Sequence, residues 1–76
     1  MENFDRVVSD PLIMQGQPCI RGTRITVSNI VRQVAAGREM RAILEDYPML
    51  DEASIRAALE FAASACAFQE FTVKTS

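Results

Sequence analysis

Histidine and tryptophan are absent from this 76-residue chain, tyrosine occurs once, and there are two cysteines, three glycines and three prolines. Without histidine the chain lacks the side chain whose unperturbed pKa lies closest to neutrality, and with it the commonest general base. Cys19 and Cys66 are the only thiols, so no thiolate–imidazole metal cage is expected. Two cysteines 47 positions apart are not the disulfide framework of a small secreted domain; both are expected to be reduced, in the cytosol. No stretch approaches the roughly 18 apolar residues of a membrane helix. The first residues, Met1 to Arg6, have neither the positive start nor the apolar run of a targeting segment. A phosphate-cradling glycine loop is missing as well.

Two arrangements remain that could suggest chemistry. Glu45 and Asp46 are adjacent, but neighbouring helical positions diverge, so the pair reads as a solvated helix end rather than a shared acid–base site. Cys19 lies close to Arg21, where a thiol could be activated, yet a small buried strand residue is the better reading. No catalytic residue, cofactor site or metal site is therefore expected.

The length allows one domain, and a chain this small buries only about 60% of its unfolded surface. The net charge of −2 is unevenly spread. Arg21, Arg24, Arg32, Arg38 and Arg41 against Glu39 give residues 21–41 a net of +4, whereas Glu45, Asp46, Asp51, Glu52 and Glu60 against Arg56 give residues 45–60 a net of −4. Faces of opposite sign suit two different partners, or a head-to-tail contact between copies.

The least generic run is Pro18-Cys19-Ile20-Arg21-Gly22-Thr23-Arg24-Ile25-Thr26-Val27. Gly22 is the natural site of a turn with positive φ, since it has no Cβ to clash. Arg21 and Arg24 then project on either side, and Thr26 or Ser28 caps a helix beginning near Val27. The run is either a structural turn with two solvated arginines or a surface that meets a partner. Upstream, Val7 and Val8 are expected in a short strand. Asp10-Pro11 marks a break, Leu12-Ile13-Met14 is a short apolar run, Gln15-Gly16-Gln17 a turn, and Pro18 opens the return strand.

Three helices are expected over residues 27–70. In the first, residues 27–36, Val27, Ile30, Val31, Val34 and Ala35 form one apolar stripe, with Arg32 and Gln33 facing outward and Gly37 as a left-handed cap. The second, residues 40–47, buries Met40, Ile43, Leu44 and Tyr47 behind a weak Glu39 cap. The third starts at Asp51, a good N-cap, and runs to Gln69 or Glu70. Residues 61–69 carry no charge, and a helix apolar on every side must be covered by something. Phe61, Ala65, Cys66 and Phe68, with Phe71 just beyond, are therefore expected to be covered by another chain rather than by their own domain. Residues 71–76 form a polar tail.

The run from Pro18 to Val27, then Ala35-Ala36-Gly37, Ile43-Leu44-Glu45-Asp46-Tyr47-Pro48 and Ile55-Arg56-Ala57-Ala58-Leu59, in this order and spacing, resembles the short bacterial proteins grouped as domain of unknown function 433. The resemblance spans roughly residues 6–63. It implies a mainly α fold: a short N-terminal β-hairpin (6–26) followed by a homeodomain-like or winged-helix-like helix-turn-helix. Two departures stand out. Gln15 replaces the first of two glycines at the hairpin turn, and Glu39-Met40 replaces a Ser-Pro helix start. Many members are described as antitoxins encoded beside a PIN-like nuclease toxin.

The resemblance implies a non-catalytic antitoxin of a type II pair that binds and neutralises such a nuclease; a homodimer is expected from the uncovered end of the third helix, and contact with operator DNA is a further expectation. The alternatives are a DNA-binding transcriptional regulator and a homo-oligomeric interaction module. Arg21, Arg24, Arg32, Arg38 and Arg41 are the candidate phosphate contacts. A reading helix that begins Asp51-Glu52-Ala53-Ser54 is poor DNA chemistry, since its carboxylates face phosphates.

Overall fold

Backbone pairing starts with Val7–Val8 (β1), which runs antiparallel to Cys19–Ile20 (β2), Val7 opposite Ile20 and Val8 opposite Cys19. The structure is a computed structural model and describes residues 5–67. The pairing continues one step beyond the strands, where the Arg21 N–H donates to the Arg6 carbonyl at 2.7 Å. Between the strands the chain does not run straight. Met14–Gly16 forms a single 3-10 turn with φ of +50° at Met14, +58° at Gln15 and +83° at Gly16. Two of these three are not glycine, so they hold a left-handed backbone against steric cost. Asp10 sets up the turn: its carboxylate accepts the Leu12 N–H at 2.9 Å and its carbonyl the Ile13 N–H at 2.8 Å.

After β2 the chain folds back on itself at Gly22, which has a φ of +81°. The Thr23 hydroxyl donates to the Ile20 carbonyl at 2.8 Å and accepts from the Ile25 N–H at 3.0 Å. The Ile20 N–H reaches the Ile25 carbonyl and the Val27 N–H reaches the Pro18 carbonyl, both at 2.9 Å. Beyond the turn the chain pairs back through one bridge, Cys19 with Thr26, rather than a ladder.

Three helices follow: α1 at Val27–Ala35, α2 at Met40–Asp46 and α3 at Glu52–Ala67. Of the two candidate caps for α1, Thr26 is the one used; its hydroxyl accepts the Asn29 N–H at 3.0 Å, while Ser28 lies 3.4 Å from it. Gly37 closes α1 with a φ of +90°. Glu39 precedes α2 without a side-chain cap. Asp51 caps α3, accepting both the N–H and the hydroxyl of Ser54 at 2.8 Å. α1 and α2 each end one residue earlier than the sequence suggests. The expected extension of α3 to Gln69 or Glu70 lies outside the described residues.

Each helix contributes one isoleucine to the centre: Ile30, Ile43 and Ile55 are fully buried. Val7, Ile20, Ile25, Val27, Leu50 and Ala58 complete the cluster, so the hairpin seals one side of the helices. The two buried polar residues, Thr26 and Ser54, are both hydrogen-bonded at helix starts. Val34 and Ala35, expected in the buried stripe of α1, are exposed. α1 packs chiefly on α3, through Val27 and Ile30, its two buried residues. Gln33, expected to face solvent, is half-buried and carries a hydrogen-bond network.

Candidate partner-binding groove

α3 outlasts the core beneath it. Among the described residues Ala58 is its last fully buried one, Phe61 and Ala62 pack against the edge of the core, and Ala65 and Cys66 are exposed. Beside this end, α1 and α3 leave an open groove of about 390 Å³. Two i, i+4 pairs of α3, Phe61 with Ala65 and Ala62 with Cys66, form one wall. Val27 and Val31 of α1 form the other, and Gln17 and Pro18 close an end. The spacing explains the shape: positions four apart share a helix face, and small residues on α3 keep the wall low. Ser28 and Arg32 complete the lining, and among the described residues Arg32 is its sole ionisable side chain apart from the Cys66 thiol.

The structure thus brings Phe61, Ala65 and Cys66 to one surface. It also corrects the expectation for Phe61, whose inner face is covered by its own domain: the helix turn that carries Phe61 lies within reach of the α1–α3 core. Phe68 and Phe71 lie outside the described residues. The two thiols differ sharply. Cys66 is exposed, whereas Cys19 is buried and donates to the Gln17 carbonyl at 3.3 Å.

The five candidate arginines are not gathered in one place. Arg21 is exposed and its Nε donates to the Asp5 carbonyl at 2.6 Å. Arg24 lines a second open cleft of about 880 Å³ beside the Gly22 turn, with Ile13, Asn29, Tyr47 and Met49. Arg32 lines the α1–α3 groove, and Arg41 is exposed in the first turn of α2. Arg38 is committed within the fold. Its Nη1 donates to Asp46 Oδ2 at 2.7 Å and to Gln33 Oε1 at 2.6 Å. Gln33 in turn donates to Asn29 Oδ1 at 2.9 Å, and Asn29 to the Tyr47 hydroxyl at 3.2 Å.

This chain of contacts fastens α2 to α1, and sequence reasoning did not find it. Its one sequence signal is the i, i+4 pairing of Asn29 and Gln33.

At the start of α3 the charge is negative. Asp51, Glu52 and Ala53 are exposed. The hydrogen bond from the Ser54 hydroxyl, then that from the Ser54 N–H, holds the Asp51 carboxyl below its ordinary value of 3.8. Glu52 pairs with Arg56 at 3.6 Å, and Arg6 with Asp51 at 3.5 Å. Both pairs are exposed and contribute little to stability. Among the described residues no group of three or more Cys, Asp or Glu side chains is placed to hold a metal ion. Among the same residues no helix is long and apolar enough to cross a membrane.

Comparison with known proteins places these features in context. The family described as "Protein of unknown function (DUF433)" matches residues 7–62, from β1 to the groove wall at Ala62. An uncharacterised protein of Sinorhizobium fredii (strain NBRC 101917 / NGR234), y4eO, is 43% identical over 56 residues, which cover 74% of this chain. The matched stretch is 25% of that relative, so this domain's counterpart there is one part of a longer chain. No solved structure matches the chain.

Proposed function

The chain belongs to the DUF433 family, and on that premise we propose that it is a non-catalytic antitoxin that binds and neutralises a PIN-like nuclease toxin in the cytoplasm. The observation that carries this reading is the α1–α3 groove. A protein of this size has little apolar surface to spare, yet Val31, Phe61, Ala62, Ala65 and Cys66 line an open trough at the end of its longest helix. Contiguous exposed apolar surface rimmed by polar residues is the mark of a protein–protein contact. The family resemblance supplies the identity of the partner; the groove supplies the physical reason to expect one. A homodimer belongs to the same reading, favoured by the opposite charges of residues 21–41 and 45–60.

Operator binding is a secondary part of the proposal. Its support is that Arg24, Arg32 and Arg41 make no side-chain ion pair or hydrogen bond among the described residues and are exposed. Arg38, held by Asp46, is the weakest of the five candidates. The acidic start of α3 argues that any DNA contact is to phosphates from α1, α2 and the Gly22 turn, not base reading by α3.

The test is co-expression with the product of the neighbouring gene, followed by size-exclusion chromatography and, where that product is a nuclease, a ribonuclease assay. A stoichiometric complex with suppressed nuclease activity is expected. A nuclease that elutes alone and stays active in excess of this protein would remove the antitoxin reading.

A further inference from the structure

The cleft beside the Gly22 turn receives the end of a hydrogen-bond chain whose direction is fixed. Arg38 can only donate, so the Gln33 amide must turn its oxygen toward it, 2.6 Å from Nη1. The Gln33 nitrogen then faces Asn29 Oδ1 at 2.9 Å, and Asn29 Nδ2 is left to donate to the Tyr47 hydroxyl at 3.2 Å. Each amide is thus oriented by the one before it. Tyr47 stands last and accepts, and its own proton has no acceptor among the described residues. Asn29 and Tyr47 both line the cleft, so that proton is offered at its wall.

The rest of the lining says what the proton meets. Arg24 is the one charged side chain there; it is exposed and makes no ion pair or hydrogen bond among the described residues. The Thr23 hydroxyl proton is taken by the Ile20 carbonyl. Ile13, Ile25 and Met49 are apolar, and Met49 is 63% exposed. The cleft, about 880 Å³ in volume, therefore joins apolar surface to one cation and one neutral O–H donor, and among the described residues no carboxylate lines it.

We infer that this cleft binds a monoanionic carboxylate with an apolar body, either a free organic acid or the carboxyl end of an apolar chain. Its oxygens take the Arg24 guanidinium and the Tyr47 hydroxyl, and its carbon skeleton lies against Ile13, Ile25 and Met49. Apolar surface with a few placed polar groups is the ordinary form of a small-ligand site. One guanidinium balances one negative charge and matches the planar fork of a carboxylate. A phosphate dianion would leave charge unmatched over apolar side chains. The inference does not rest on the antitoxin reading and competes with operator binding for Arg24 alone.

The test titrates the full chain with hexanoate and reads the emission of Tyr47, the sole tyrosine in a chain without tryptophan. N-acetylleucine stands for a chain end, hexanamide removes the charge, and inorganic phosphate removes the apolar body. Saturable binding of hexanoate or N-acetylleucine is expected, the tighter of the two naming the source, with hexanamide and phosphate about tenfold weaker. Arg24→Gln, at an exposed position, should weaken the carboxylate about tenfold. Gln33→Glu is the sharper variant, since residue 33 does not line the cleft. A carboxylate there accepts from both Arg38 and Asn29 Nδ2, which turns Asn29 Oδ1 toward Tyr47 and draws the hydroxyl proton inward. Carboxylate affinity should fall about fivefold, and the fall should persist at high salt, which screens the added charge; circular dichroism checks that the helices are kept. If neither carboxylate binds saturably, or if phosphate or hexanamide binds as tightly, the inference is overturned. If Arg24→Gln or a folded Gln33→Glu binds within about twofold of wild type, the donor it removes does not hold the ligand and the site as stated is wrong.

Discussion

Replacing Gln15 with glycine should make this protein more stable, although glycine usually weakens a fold. Gln15 holds a φ of +58° within a turn whose neighbours are also left-handed. An L-residue in that conformation costs about 1–2 kcal/mol through the clash of its Cβ with the backbone. The side chain is exposed and makes no hydrogen bond among the described residues, so its removal sacrifices little packing. Against the relief stands the greater freedom of glycine in the unfolded chain, about 0.4–1 kcal/mol. The balance is a net gain of about 0.5–1 kcal/mol, or a rise in Tm of roughly 2–8 °C for a domain this small.

Gly16→Ala supplies the opposite sign within the same turn. Its φ is +83°, and an added Cβ would lie 3.8 Å from the Pro11 Cα, an ordinary contact. Its cost is therefore one of conformation rather than space, of order 1 kcal/mol. Urea and thermal denaturation of both variants, with unchanged m-values, give the comparison. A Tm for Gln15→Gly equal to or below that of wild type refutes the strain argument.

Other outcomes follow from the same reasoning. Gly22→Val should lower stability by about 1–3 kcal/mol, for a backbone reason alone, since a Cβ at Gly22 meets nothing within 4 Å; an unshifted urea midpoint contradicts this. The Asp51 cap should fade in acid. Because its folded pKa lies below the ordinary value of 3.8, its contribution is complete above the unfolded pKa and is lost as the pH falls through the folded one. Asp51→Ala should therefore have a lower Tm than wild type at pH 7, with the gap narrowing below pH 3.8; a gap independent of pH counts against the cap. If Arg24, Arg32 and Arg41 contact operator phosphates, each alanine substitution should reduce the slope of log affinity against log salt by about 0.9. Unchanged slopes in electrophoretic shift titrations would exclude them.

Features specified by local chemistry were legible in the sequence. Gly22 and Gly37 take positive φ, and Thr26 and Asp51 cap helices, because each outcome depends on a few consecutive residues. Ile30 and Ile43 likewise fall on the apolar faces read from the periodicity of the first two helices. What escaped depends on neighbours distant in sequence. Periodicity identified an apolar stripe through Val34 and Ala35, which are exposed, because period alone does not say how much of a stripe a neighbour covers. The same blindness exaggerated the exposure of Phe61, since the charge-free run gives no sign that the core's edge reaches it. Gln15 in a left-handed turn defeats a rule that looks for glycine. The link from Arg38 through Gln33 and Asn29 to Tyr47 exists only once α2 lies against α1. As for the groove, its α3 wall was read in advance, whereas Arg32 had been assigned to phosphates and not to the rim of an apolar trough.

The contrast between the two thiols offers a native reporter. Cys66 sits in the groove wall open to solvent, and Cys19 is buried within the hairpin itself, on β2. A maleimide dye added to the folded protein should label Cys66 first, placing a fluorophore at the groove without any substitution. Labelling slowed by a bound partner would time occupancy directly. Cys19 becomes reactive only when the hairpin opens, so its modification counts openings of the domain. One unaltered chain thereby carries two clocks: one for what enters the groove, the other for how often the fold comes apart.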